Sequence, residues 1–243
     1  MVEISIKAEE ILNILHLPIT NSIILSFLIL IGFTIFAINY KNKISRTDSI
    51  LNTFIRFCLN TLYSLFESIL GSKIKDLFPL LGSLFIFILV SNWFGLLPGV
   101  GSLLVKVMHN HHEYEFPILR APTADLNTTF ALALIAVFFI QFYGFKYLGI
   151  SYLKKYINLS NPIMFFIGLL EIVSEVSKVL SFSFRLFGNI FAGEVLLVVV
   201  ATLVPVLAST PFLFLEVFVG LIQALVFSML TAVFLSAAVA EHH

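Results

Sequence analysis

The sequence is poor in charge and has a single cysteine. Asp, Glu, Lys and Arg make up 12% of the 243 residues, whereas soluble domains carry about 25%. The lone Cys58 excludes an internal disulfide and a cysteine-based metal cluster. Acidic and basic residues balance at 14 each, so composition indicates neither a nucleic-acid partner nor a polybasic membrane patch. The hydrophobic share of 59% and the mean hydropathy of +1.04 indicate burial in lipid.

Several long stretches contain no charged residue at all. Each is as long as the roughly 20 residues that cross a hydrocarbon core. They are Ile11–Tyr40, Leu77–Val105, Leu126–Phe145, Val195–Leu215 and Val217–Ala240. We therefore expect an all-α integral membrane protein with five crossings in one membrane domain, residues 1–243.

The stretches and their flanks predict the arrangement of the helices. We expect an upright helix at 19–38, a helical hairpin at 77–97 and 126–147, and two long helices at 162–204 and 211–240. The 42 residues from Ile163 to Val204 contain no proline. As one helix they would be about 63 Å long, twice the thickness of a hydrocarbon core of about 30 Å. A break near Gly188 or Gly193 would resolve this mismatch, but we favour strong tilting of both long helices.

Residues 49–70 differ from these crossings. Polar residues recur there near period 3.6 between Ile, Leu and Phe, which is typical of an amphipathic helix in the plane of the membrane interface. The recurring residues are Ser49, Asn52, Thr53, Arg56, Asn60, Ser64 and Glu67.

Lys and Arg are distributed unevenly between the loops. Residues 41–76 and 146–160 hold six and three of them, against three on the opposite side. The excess of basic residues in cytoplasmic loops predicts that these two loops are cytoplasmic, with the N-terminus outside and the C-terminus inside.

The first long helix carries a polar strip. On an ideal helix five polar residues fall within about 40° of Arg185, over about 27 Å. They are Glu171, Ser174, Lys178, Ser181 and Asn189. A hydrogen-bonded helix interface is the alternative interpretation. Because each intramembrane charge costs at least ~2.5–3.5 kcal/mol, we favour a functional strip. Arg185 stays charged at any physiological pH, so it would act as a fixed gate and not as a proton carrier.

Two carboxylates lie deep in the same apolar region. If the last two helices form an antiparallel hairpin, residue midpoints place Glu194 level with Glu216 and Gln223 level with Arg185. Two carboxylates that lie close together do not both ionise readily, which would suit a proton relay. Two unrelated Glu residues facing separate water pockets remain the alternative.

Four sequence blocks form a recognisable pattern. The most specific is SFSFRLFGNIFAGE at 181–194, supported by NWFGLLPG at 92–99, PTADLN at 122–127 and QALVF at 223–227. Together they resemble subunit a of the F-type rotary ATP synthase. The resemblance implies a stator subunit whose two long helices face a rotating c-ring, with peripheral stalk b subunits and the bilayer as further partners, in a bacterial inner membrane. Nucleic acid is not an expected partner, and no cofactor is expected.

The resemblance also implies roles for individual residues. Arg185 would face the ion-carrying carboxylate of the ring and separate two half-channels. The outer half-channel would contain Asn189, Glu194, Glu216, Gln223, Asp125 and Asn127, and the cytoplasmic one Glu171, Ser174, Lys178 and Ser181. Many relatives have a His at one of the two positions held here by Glu194 and Glu216, which leaves a sodium-coupled synthase as an alternative to a proton-coupled one.

Other readings are weaker. A self-contained secondary transporter would carry inverted repeats, and none is visible; a membrane scaffold would leave the charged strip unexplained. The spacing of His109, His111 and His112 could bind zinc or copper, although we favour a solvated loop and predict no metal site. Without a phosphate-binding glycine loop the chain is not expected to be an enzyme by itself.

Overall fold

The computed structural model describes residues 10–14, 17–42, 50–97, 100, 104–109, 112–117, 119–156, 161–203 and 209–240. Its α-helices are α1 (Asn21–Asn42), α2 (Ile50–Leu70), α3 (Ile74–Gly95), α4 (Leu126–Leu148), α5 (Pro162–Leu203) and α6 (Ser209–Val239). A short 3₁₀ turn at Gly71–Lys73 precedes α3, and another at Pro122–Ala124 precedes α4. A third, at Gly149–Lys155, follows α4. His111 lies outside the described residues, as do the side chains of His109 and His112 and the basic residues Lys43 and Arg46.

Five helical stretches are long and apolar enough to cross a membrane. They are Asn21–Lys41, Ile50–Gly95, Leu126–Leu153, Pro162–Leu203 and Ser209–Val239. The predicted all-α membrane fold is confirmed. The interfacial position of α2 and the tilt of the last two helices remain predictions.

The helix ends differ in places from those read off the sequence. α1 begins at Asn21 and not at 19, and runs on to Asn42. α3 begins at Ile74 and not at 77, because the prediction started after the last charged residue. Asp76 lies in the first turn of α3, where the positive end of the helix dipole favours an acidic side chain. Between α2 and α3 the chain turns at Gly71, whose φ of +56° is readily adopted only by glycine.

Two short antiparallel hairpins lie outside the helices and were not predicted. Strands β1 (Glu10–Ile14) and β2 (Leu17–Thr20) pair just before α1. Strands β3 (Leu104–His109) and β4 (His112–Pro117) pair in the long connection from α3 to α4, with Lys106 opposite Glu115. In β4 residues 113–116 alternate between polar and apolar, the period-two pattern of a strand, whereas in β3 every third residue is polar.

The core lies between α3, α4 and α6. Small and branched side chains pack there, including Leu81, Ala133, Ala136, Ala224 and Leu235. Phe182 of α5 closes the core, with its ring 4.9 Å from that of Phe227 on α6.

α5 is one continuous helix of 42 residues that passes both Gly188 and Gly193 without a break. Its outward face exposes large apolar side chains, among them Phe165, Phe166, Leu170, Val173, Val176, Leu180 and Phe184. Apolar exposure on this scale marks a surface that lipid or another protein covers.

Candidate functional site

Arg185 lies on the exposed face of α5. One of its guanidinium nitrogens donates to the Ser181 hydroxyl one turn away, at 3.1 Å. Phe184 beside it is 56% exposed. Among the described residues no carboxylate lies within ion-pair distance of the guanidinium. A permanent cation thus projects from an apolar surface without an internal counter-charge.

Asn189 connects the polar strip to the last helix. Its side-chain amide donates to Gln223 Oε1 at 2.7 Å. Gln223 is 4% exposed, and its Nε2 has no hydrogen-bond partner in the described part of the chain. The sequence predicted that Gln223 lies level with Arg185. In the structure Gln223 contacts Asn189, one turn further along α5.

Glu194 and Glu216 come together, as their levels predicted. Both line a small open cleft between α3, α5 and α6. Glu216 is only 6% exposed. Its carboxylate lies so close to Gly193 that a Cβ atom at position 193 would overlap it. The remaining lining residues are Asn92, Gly95, Leu96, Ala121 and Ile190.

α3 supplies the third wall of this cleft. Asn92 donates from Nδ2 to the Gly220 carbonyl of α6 at 3.0 Å, and the Trp93 indole donates to the Val217 carbonyl at 3.1 Å. Gly220 lets the helices approach, since a Cβ there would lie 3.1 Å from that of Asn92. The Asn92 Oδ1 is buried without a partner among the described residues. Asn92 was not predicted as a site residue. In the sequence it appeared only as the first residue of the motif at 92–99.

Arg120 is a second residue that the sequence did not single out. Its charge acts on Glu194, as does that of Glu216. Glu194 therefore lies in the field of this cation. In the sequence Arg120 was counted only as a basic loop residue.

Asp125 is placed by helix capping. Its carboxylate accepts from the Asn127 backbone N–H at 3.1 Å, as the N-cap of α4, and from the hydroxyls of Thr128 and Ser22, both at 3.1 Å. It is 3% exposed and is not among the residues that line the cleft. Asn127 is exposed. The structure thus gives Asp125 a role in joining α1 to α4, while its predicted place in the outer half-channel remains a prediction.

The residues predicted for the cytoplasmic half-channel fall into separate contacts. Glu171 forms an ion pair of 2.7 Å with Lys155, in the 3₁₀ turn after α4. Ser174 is exposed. Lys178 forms an ion pair of 2.7 Å with Glu175. Glu175 lies outside the polar strip of α5 and was not among the predicted site residues.

The described residues contain no group of three or more His, Cys, Asp and Glu side chains arranged to hold a metal ion. The two long apolar helices carry a buried and a half-buried carboxylate, an amide pair and an exposed arginine. The fold and these residues define a polytopic membrane protein with polar groups inside its membrane-spanning segments.

The family model described as ATP synthase A chain matches residues 20–236, and the chain belongs to this family. Members are membrane-sector subunits of ATP synthase that take part in ion transport and ATP synthesis and are not catalytic by themselves. The resemblance in the four sequence blocks is confirmed, and the chain is a multi-pass membrane protein that works together with other subunits.

Proposed function

We propose that this chain is the proton-conducting stator subunit of the ATP synthase, with two offset half-channels that meet a rotating c-ring at the exposed face of α5. The observation that carries the proposal is the exposed guanidinium of Arg185, which has no carboxylate partner in the described part of the chain. A bare cation in lipid costs at least ~2.5–3.5 kcal/mol. A carboxylate on another chain, carried past Arg185 by rotation, would neutralise it.

The outer half-channel begins at the cleft of Glu194 and Glu216 and continues through Asn189 and Gln223. Glu194 lies nine residues from Arg185, about 13.5 Å along the helix axis. Protons entering from outside would pass from this carboxylate pair to the ring carboxylate. The neutral ring carboxyl then enters lipid without the cost of a buried charge.

The cytoplasmic half-channel lies on the other side of Arg185, along Ser181, Lys178, Ser174 and Glu171. After nearly a full turn the ring carboxyl would lose its proton there and meet Arg185 again. The guanidinium, which never releases its own proton, blocks direct leakage between the two paths. The membrane potential drives the cycle with ~2.3 kcal/mol per charge per 100 mV.

The orientation follows from the distribution of basic residues. Lys and Arg concentrate in 41–76 and 146–160, which favours a cytoplasmic position for both segments. We place the protein in the inner membrane of a bacterium, with the N-terminus outside and the C-terminus cytoplasmic. Its partners would be the c-ring and the peripheral stalk b subunits.

The test replaces Arg185 by Ala in the complete synthase, reconstituted into vesicles. We expect ATP-driven proton pumping to fall to background while the complex still assembles. Ser177→Ala on an exposed position of the same helix serves as the control and should pump normally. Coupled pumping by Arg185→Ala would contradict the proposal, and pumping that requires sodium would indicate the sodium-coupled alternative.

A further inference from the structure

A second cation lies on the strip of Arg185. Lys178 is seven residues earlier on α5, about 20° around the helix and about 10.5 Å along it. Its ammonium contacts Glu175 Oε1 at 2.7 Å, and the two side chains are only 16% and 13% exposed. Glu175 itself is about 80° away from Arg185 on the same helix. The carboxylate therefore draws the ammonium sideways, off the line of the strip.

Each member of the pair has a further neighbour. The ammonium nitrogen lies 4.8 Å from the centre of the Phe234 ring on α6, within the range of a cation–π contact. The Tyr156 hydroxyl lies 3.4 Å from Glu175 Oε1 and donates to Gln141 Oε1 at 2.8 Å. Glu175 Oε2 is buried without a hydrogen-bond partner among the described residues. The pairing with Lys178 is thus the closest contact that this carboxylate makes.

A second ion pair lies close to this one. Lys155 and Glu171 neutralise each other at 2.7 Å, and the charges of both act on Tyr152. Tyr152 hydrogen-bonds with Tyr156 and with Gln141. Burial, the hydrogen bond with Tyr152 and the charge of Glu175 raise the pKa of the Tyr156 phenol above its usual value, so that it stays neutral at physiological pH.

We propose that Glu175 is a positioning residue that neutralises Lys178 and holds its ammonium aside, so that protons can leave past it through the cytoplasmic half-channel. The inference rests on the proposed function. Two unit charges 4 Å apart interact strongly at the effective dielectric constant of a protein. An unpaired ammonium on the polar strip would therefore repel a proton that moves along it. With the pair intact, repulsion is confined to Arg185, where the two half-channels have to be separated.

The proposal predicts the outcome of a double-mutant cycle in the complete synthase. Glu175→Gln keeps the shape of the side chain but leaves Lys178 without its counter-charge. We expect ATP-driven pumping, and passive proton conduction after removal of the catalytic sector, to slow about tenfold or more. Adding Lys178→Met removes the repelling charge and should raise both rates well above those of Glu175→Gln alone. Glu67→Gln, an exposed carboxylate on α2, is the matched control.

The double variant decides between the possible roles. Buried ion pairs are often replaced by neutral side chains without loss of stability, so the double variant should assemble. Slow conduction in it would show that the carboxylate itself is needed and would overturn the proposal. So would failure to assemble, which would indicate a structural role, or normal rates in Glu175→Gln. These outcomes are distinct from coupled pumping by Arg185→Ala, which would contradict the proposed function itself.

Discussion

The carboxylate of Glu216 lies against the backbone of Gly193, in the space that any side chain at position 193 would fill. Glu216 is on α6 and Gly193 is on α5, directly before Glu194. The missing side chain at 193 therefore lets the two carboxylates share one cleft. A glycine in the middle of a helix lowers its stability by roughly 0.5–1 kcal/mol relative to alanine, so its presence here has a local cost.

Gly193→Ala should displace the Glu216 carboxylate from the cleft. We expect proton uptake through the outer half-channel to fall severalfold, although alanine favours the helix. The measurement is passive proton conduction by the membrane sector. Gly32→Ala on α1, where an added Cβ has no neighbour within 4 Å, is the control. Unchanged conduction in Gly193→Ala would show that the position of Glu216 is not critical.

Asn189→Ala should destabilise the packing of α5 against α6. The substitution removes the 2.7 Å hydrogen bond to Gln223 and leaves a buried carbonyl oxygen without its donor, a loss of about 1–3 kcal/mol. The thermal midpoint of the detergent-solubilised complex should fall by several degrees. Asn60→Ala on the exposed face of α2 should leave it unchanged. An equal midpoint in both variants would mean that water replaces the lost donor.

Asp125→Ala should loosen the start of α4. Loss of an N-cap costs about 0.5–2 kcal/mol, and the Ser22 hydroxyl loses its acceptor as well. Hydrogen exchange at the backbone amides of 127–129 should accelerate, and Asp125→Asn, which can still cap, should show a smaller effect. If Asp125→Asn blocks proton uptake while exchange is normal, Asp125 belongs to the conducting path and not only to the cap.

The helices could be predicted because lipid imposes a simple rule on the sequence. A crossing needs an uninterrupted apolar run, and the run that begins at Leu126 predicted the start of α4 at its first residue. Charged residues show where an apolar run ends, but they do not show where the helix ends. The first turn of α3 contains Lys75 and Asp76, and a helix tolerates both where it leaves the apolar region.

The site could be predicted only as far as one helix determines it. Helical periodicity placed Arg185, Lys178 and Ser181 on one strip, and the hairpin geometry brought Glu194 near Glu216. Contacts between helices distant in the sequence have no such period. The bond from Asn92 to Gly220, across 128 residues, depends on which helices are neighbours. The pairing of Glu175 with Lys178, three residues apart on one helix, could have been predicted from its spacing. The strands β3 and β4 were missed because only the four residues 113–116 of β4 alternate, and β3 lacks the period of a strand.

Tyr156 provides a test at alkaline pH. Because its folded-state pKa is raised above the usual value of 10, its contribution to stability is complete below pH 10 and is lost as the pH rises above 10, where the unfolded chain ionises first. The loss is at most ~1.4 kcal/mol per pH unit, reduced by solvent screening at this partly exposed site. Thermal midpoints of the solubilised complex from pH 9.5 to 11.5 should therefore fall less steeply in Tyr156→Phe than in the wild type. Tyr63→Phe, whose ring packs on Phe78 and whose hydroxyl makes no hydrogen bond among the described residues, should keep the wild-type slope. Identical slopes in all three proteins would mean that Tyr156 ionises equally in the folded and unfolded chain, and that Glu175 does not reach it.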